Sequence, residues 1–148
     1  MSHLKLATGL VFCLAALFTA SAAFSQTRRV ITGGEGLPFN DGVVVGNTLY
    51  IAGQEGTDPA GKLKPGGIEA EAQAALDNIA GVVKKAGFQM KDIVAVTVYL
   101  ADIHDFAAMN QVYKRVMPDP KPTRATIQAA ALVNNARIEI SAIAVKSK

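Results

Sequence analysis

The stretch Gly42-Val43-Val44-Val45-Gly46-Asn47-Thr48-Leu49-Tyr50-Ile51-Ala52 constrains the fold more than any other part of the chain. Two β-prone runs flank a Gly-Asn pair, the turn chemistry that joins antiparallel neighbours in a tight hairpin. Upstream, Val30-Ile31-Thr32 reads as a short strand that the loop Gly33-Gly34-Glu35-Gly36 ends. Downstream the period changes. From Glu69 to Ala86 the apolar positions Ala72, Leu76, Ile79, Val83 and Ala86 step by four, three, four and three. Glu69 and Glu71 come early, Lys84 and Lys85 late, and Gly87 is the stop, which predicts an amphipathic helix with its dipole complemented at both ends.

Residues 93–100 are apolar on both alternations, as expected of a strand inside a sheet and covered on both faces. Asp102 or Asp105 can cap a second helix. Its Phe106, Met109 or Asn110, Tyr113 and Val116 or Met117 recur at helical spacing until Pro118 and Pro120. Two further strands are expected at about 124–130 and 137–145. The order β, β-hairpin, α, β, α, β, β predicts an α+β fold: one mixed β-sheet with two helices packed on one face.

At 148 residues the chain has the length of one domain with one core. Half the residues are apolar, which excludes disorder, and much of that content lies in the first 25. Lys5, the apolar run 10–20 and the small residues of Ala20-Ser21-Ala22-Ala23-Phe24-Ser25 read as an export signal cleaved after Ala22 or Ser25. An uncleaved anchor is the alternative. Bulky Phe12 before Cys13 argues against lipid attachment there. The expected organisation is a signal peptide at 1–25, a domain at 26–148, and a periplasmic or secreted product with no membrane association once the signal is removed. Such a product has no cysteine and His104 as its one imidazole, which excludes cysteine nucleophiles and makes a His- or Cys-built metal site untenable within one chain. Fifteen Lys and Arg against twelve Asp and Glu, without a run of five or six of one sign, are not the footprint of an obligate nucleic-acid binder.

Gly56-Thr57-Asp58-Pro59-Ala60-Gly61-Lys62 has phosphate-loop spacing. Leu63 replaces the hydroxyl residue, however, and Lys64-Pro65-Gly66-Gly67 is not expected to open a helix, so an Asp-Pro turn is the better reading. The Gly33 to Gly36 cluster lacks dinucleotide spacing, and His104 beside Asp105 has no serine on a strand-to-helix elbow to work with.

Two charged residues stand inside the apolar closing strands. Alternation groups Arg137, Glu139 and Ser141 on one face and Ile138, Ile140 and Ala142 on the other, while Arg124 shares a face with Thr126 and Gln128. Arg124 and Glu139 are either a solvated edge or subunit ion pair, or a cleft in which arginine grips a substrate carboxylate and glutamate orients water.

Four segments in order resemble the RidA (YjgF/YER057c/UK114) family across nearly all of residues 26–148. They are Val45 through Gln54, Val98-Tyr99-Leu100-Ala101-Asp102 to Phe106 with Asn110 and Tyr113, Pro122-Thr123-Arg124-Ala125-Thr126, and Ile138 through Val145. The resemblance implies a chorismate-mutase-like fold and a homotrimer with clefts between subunits. It also implies hydrolysis of reactive imino or enamino acids, of 2-iminobutanoate and 2-iminopropanoate type, to 2-oxo acids and ammonia without a cofactor. By that resemblance Arg124 binds the carboxylate, Glu139 stands near the attacking water, and Gly53, Asn110 and Thr126 line the cleft. The family's tyrosine and serine are replaced by Phe39 and Ala52, which removes two hydroxyls. Glu55 and Gly56 replace an apolar residue and a proline. The two missing hydroxyls, together with the leader, make a non-catalytic carboxylate-binding or protein-protective module the competing expectation. A ribonuclease or translation inhibitor, as relatives are sometimes described, is the weakest.

Overall fold

The computed structural model describes residues 27–34 and 36–147, so the expected leader, 1–25, lies outside the described residues. Six strands, β1 (Arg28–Ile31), β2 (Gly42–Val45), β3 (Thr48–Glu55), β4 (Ile93–Leu100), β5 (Thr123–Gln128) and β6 (Ile138–Val145), form one sheet in the order β1-β2-β3-β6-β4-β5. Helix α1 (Gly67–Lys85) follows β3 and α2 (Phe106–Val116) follows β4. Every neighbouring pair is antiparallel except β4 with β5, so the sheet is mixed and the fold α+β, as expected.

The hairpin forms where Gly-Asn sits: Val45 pairs with Thr48, and Gly46 takes φ 59°, a region open to glycine at little cost. Strand ends shift from their expected places according to what their neighbours offer. β1 starts at Arg28, opposite Val45, and Thr32 falls outside it because β2 ends its pairing at Gly42. β3 runs past Ala52 to Glu55 because β6 supplies new partners there, Ile140 for Gln54 and Glu139 for Glu55, after a bulge between Ile51 and Gln54. β5 stops at Gln128, opposite the last residue of β4. β6 begins at Ile138, because the Arg137 N–H donates instead to Glu71 Oε2 at 2.8 Å. Glu71 is thereby a buried acceptor, 6% exposed, in addition to an early acidic residue of the helix.

Lys64-Pro65-Gly66-Gly67 does open a helix, contrary to expectation. Gly66 at φ 118° and Gly67 at φ 74° turn the chain directly into α1 in a conformation that residues with a Cβ disfavour. The preceding loop is the expected Asp-Pro turn: Asp58 Oδ1 accepts from the Ala60 and Lys62 N–H groups at 2.9 and 3.0 Å. Capping of α2 divides between the two candidates. Asp102 accepts from the His104 N–H and caps a 3-10 turn at Ile103–Asp105, whereas Asp105, at the N-cap of α2, makes no cap bond and binds Arg137.

Both helices lie on one face of the sheet. Leu76, Ile79 and Val83 of α1 and Met109 and Val112 of α2 close over Leu49, Val98, Leu100, Ile138 and Ile140, all nearly inaccessible. Truncating Leu76 or Ile140 to alanine costs about 2–5 kcal/mol in such packing. Phe106, expected in this stripe, is instead 40% exposed at the first turn of α2. β4 is interior to the sheet, as expected, but is covered on one face only: Val96, Val98 and Leu100 are buried, whereas Val94 is exposed and Thr97 and Tyr99 are half-buried. With both helices on one side, nothing among the described residues covers the other. That open face carries Tyr50 at 51% exposure, Ile127 at 49% and Ile143. Among the described residues no helix is long and apolar enough to cross a membrane.

Candidate active site

Glu139 projects from β6 onto the open face because its neighbours Ile138 and Ile140 point into the core. It lies at a cavity of about 440 Å³ whose wall includes Phe39, Ala52, Gly53, Glu55, Asn134 and Asp41. Ala52 and Gly53 belong to the β3 bulge, where the Ala52 N–H leaves the ladder and donates to Asp41 O at 2.9 Å. A Cβ on Gly53 would collide with the Glu139 carboxyl, so glycine makes the room in which that carboxyl lies. Burial and then the neighbouring Glu55 charge raise the Glu139 pKa. A carboxyl so placed gains strength as a base and keeps the capacity to return a proton.

Arg124 occupies a different setting. On β5 it sits opposite Val96, a helix-facing residue of β4, and so points toward α2. Its guanidinium carbon stands 4.5 Å from the Tyr113 ring centre and 5.6 Å from that of Phe106, with Nη1 4.0 Å from Met109 Sδ. Stacking on aromatic faces holds the planar group, Nη1 donates to the Met109 sulfur, and among the described residues no carboxylate pairs with it. The buried Tyr113 hydroxyl and Thr126 Oγ1 have no hydrogen-bond partner among the described residues. Burial raises the Tyr113 pKa against the opposing pull of the Arg124 charge. Asn110, one turn after Phe106 and three residues before Tyr113, shares this stripe of α2 and is half-buried.

The expected site residues therefore divide into two groups on opposite faces. Glu139 pairs with Tyr99 while Val98 and Ile140 face the helices, so Phe39, Ala52, Gly53 and Glu139 gather on the open side. Arg124 and Thr126 lie on the helix side with Asn110. One chain does not bring the guanidinium and the carboxyl into a single cleft. Ser141, expected beside Glu139, lines a separate shallow hollow with Tyr50, Thr97 and Ile143. Gln128 has a structural partner, accepting from the Ile103 N–H at 3.1 Å. His104 is a surface residue with Nδ1 2.7 Å from Asp102, not Asp105. Glu55, Asn134 and Asp41 were not expected at the site; reading β3 on past Ala52 would have exposed the first, but contacts from distant loops leave no local signal. Among the described residues no three His, Cys, Asp or Glu side chains are grouped to hold a metal ion.

A mixed sheet with both helices on one face, Arg124 stacked on that side and Glu139 with its raised pKa on the other, defines a small α+β protein of the kind found in the solved structures it resembles. The family model described as Endoribonuclease L-PSP matches residues 35–146, and the chain belongs to that family, also called RidA or YjgF. The 2-iminobutanoate/2-iminopropanoate deaminase of Capra hircus is 46% identical over 127 residues, covering 82% of this chain and 93% of the relative. That of Bos taurus is 48% identical over 110 residues, covering 74% and 80%. The crystal structure of RidA from the Antarctic bacterium Psychrobacter sp. PAMC 21119 superposes with a TM-score of 0.73 at 36% identity, covering 78% of this chain and 94% of that one.

Proposed function

We propose that the protein hydrolyses reactive 2-imino acids of the 2-iminobutanoate and 2-iminopropanoate type to 2-oxo acids and ammonia, in clefts between the subunits of a homotrimer. The observation that carries this reading is the stacked Arg124 guanidinium, with no carboxylate partner among the described residues, on the face opposite Glu139. A site using both needs two chains, and the apolar open face around Tyr50, Ile127 and Ile143 offers the surface to bury between them. Relatives named as such deaminases, at 46–48% identity, support the same chemistry.

Arg124 of one subunit grips the substrate carboxylate. Glu139 of the next takes a proton from water as the oxygen attacks the iminium carbon and the C=N π pair moves to nitrogen. The carbinolamine nitrogen then takes that proton, the C–N bond breaks, ammonia leaves, and the alcohol proton passes to Glu139 as the carbonyl forms and from there to solvent, which restores the carboxylate. The iminium is electrophilic by itself, so positioning and one proton shuttle suffice. Phe39 and Ala52 put no hydroxyl on the cavity wall, and this favours a second reading: a carboxylate-binding module without turnover.

The two separate on the rate of 2-iminobutanoate hydrolysis, the imine being generated in place by an amino-acid oxidase, with Arg124→Ala as control. Acceleration that disappears in the variant supports the deaminase; ligand binding without acceleration supports the module. The ribonuclease named in the family description finds little in this chain: His104 is exposed and tied to Asp102, and the net charge is only +3. Residues 1–25 suit export, and N-terminal sequencing of the protein from a periplasmic fraction tests that proposal: a start near residue 23 or 26 is expected.

A further inference from the structure

The Glu139 cavity holds a second carboxylate that the mechanism above does not use. Glu55 is the direct partner of Glu139 across the β3 and β6 ladder, and both line the same cavity. Directly opposite side chains of an antiparallel pair have Cβ atoms about 5 Å apart, and like charges there repel. Glu55 is held in this position: Asn134 Nδ2 donates to its Oε2 at 3.0 Å. Asn134 itself has φ 56°, a left-handed conformation in which asparagine is enriched, so its amide is presented by a fixed turn.

The other groups facing Glu139 do not offset that charge. On β4 its register partner is Tyr99. From the segment before β2, Asp41 lines the cavity, and none of the lining residues is basic. Arg137, two residues back along the chain, gives its guanidinium to Asp105 at 2.8 and 3.0 Å. In the proposed trimer the neighbouring subunit's Arg124 would enter this field, where the substrate carboxylate would occupy it. The nearby charge of Glu139's own chain is therefore negative, and it acts with burial to raise the proton affinity of Glu139.

We propose that Glu55 is a positioning residue that acts through Glu139, its fixed like charge strengthening Glu139 as the acceptor of the water proton, with Asn134 holding it in place. The inference rests on the deaminase reading and adds to it a device that raises the proton affinity of Glu139 for that work. Glu55 touches neither water nor substrate in this scheme.

Glu55→Gln tests it, since glutamine keeps an oxygen for Asn134 and loses the charge. In the full assembled protein, the Glu139 carboxyl is titrated by 13C NMR, with Glu139→Gln giving the assignment, and the pH profile of kcat/KM for 2-iminobutanoate is recorded. In Glu55→Gln the Glu139 midpoint should fall, the acid limb of the rate profile should move with it, and plateau kcat should drop about two- to fivefold as the base weakens. KM should change little. Asn134→Gly, which keeps the backbone turn, should move the midpoint the same way by less. An unmoved midpoint in folded Glu55→Gln overturns the proposal, as does a midpoint that falls while the rate limb stays. A wild-type protein with no turnover would instead remove the deaminase reading, and the proposal with it, so the two failures are told apart by whether activity is present.

Discussion

Placing a methyl group at position 53 should separate activity from stability. A Cβ on Gly53 would overlap Oε1, Cδ and Cγ of Glu139, the far end of a flexible, half-buried side chain that can swing toward solvent. Gly53 is not among the glycines with positive φ, so alanine fits its backbone. Removing a glycine from the unfolded chain stabilises by about 0.4–1 kcal/mol, and forcing Glu139 into a poorer rotamer costs about 0.5–1.5 kcal/mol. The two nearly cancel, so Tm of Gly53→Ala should stay within about 5 °C of wild type. The displaced carboxyl, however, no longer reaches the water. General base catalysis contributes about 10²–10⁴-fold, so kcat for 2-iminobutanoate should fall by at least ~10²-fold. The assay is initial-rate hydrolysis beside thermal unfolding of the same preparations. Retention of more than half the activity by folded Gly53→Ala would refute the argument that this glycine exists to seat Glu139.

Arg124→Lys keeps the charge but loses the stacked planar fork; a charge-assisted hydrogen bond is worth about 1.5–3 kcal/mol, so kcat/KM should fall by roughly 10- to 100-fold, mainly through KM, in steady-state kinetics. Glu139 has a folded-state pKa above its ordinary value of 4.5, so its charged form opposes folding. Its contribution to stability is therefore fully present below about pH 4.5 and is lost as pH rises through the folded value. Glu139→Gln should accordingly gain stability over wild type at pH 7 and show no such gain at pH 4, by urea denaturation. Tyr113→Phe removes a buried hydroxyl with no partner among the described residues and keeps the ring under Arg124, so it should stabilise by about 1 kcal/mol with little change in KM, which unfolding and kinetics on one sample would read together.

Local chemistry made much of this fold legible. Gly46-Asn47 specified the hairpin, the four-and-three spacing from Ala72 to Ala86 specified α1, and the apolar run 93–100 marked an interior strand. Sheet order was not legible, because β6 inserts between β3 and β4 through pairings some 90 and 45 residues distant in the chain, and no local pattern encodes them. The same gap hid the site's geometry. Alternation sorted Arg124 and Glu139 within their own strands, but only the register of β5 and β6 against β4 shows that they face opposite ways. Residues 93–100 read as doubly covered since apolar content on both alternations does not say whether the second cover is a helix of the same chain or another subunit. Gly66-Gly67 read as a helix breaker because glycine is unfavourable within a helix, yet at positive φ it served as the entry. Asn134 meets Glu55 from 79 residues away, beyond any motif.

The claim that Arg124 and Glu139 act together across a subunit boundary is tested most directly by mixing two inactive variants. Arg124→Ala and Glu139→Gln chains, unfolded together in equal amounts and refolded into mixed trimers, place an intact Arg124 against an intact Glu139 at about a quarter of the interfaces. Recovery of about a quarter of the wild-type rate of 2-iminobutanoate hydrolysis is the expected result. Mixed trimers, verified as such by native mass spectrometry, that remain as inactive as either parent would contradict the account.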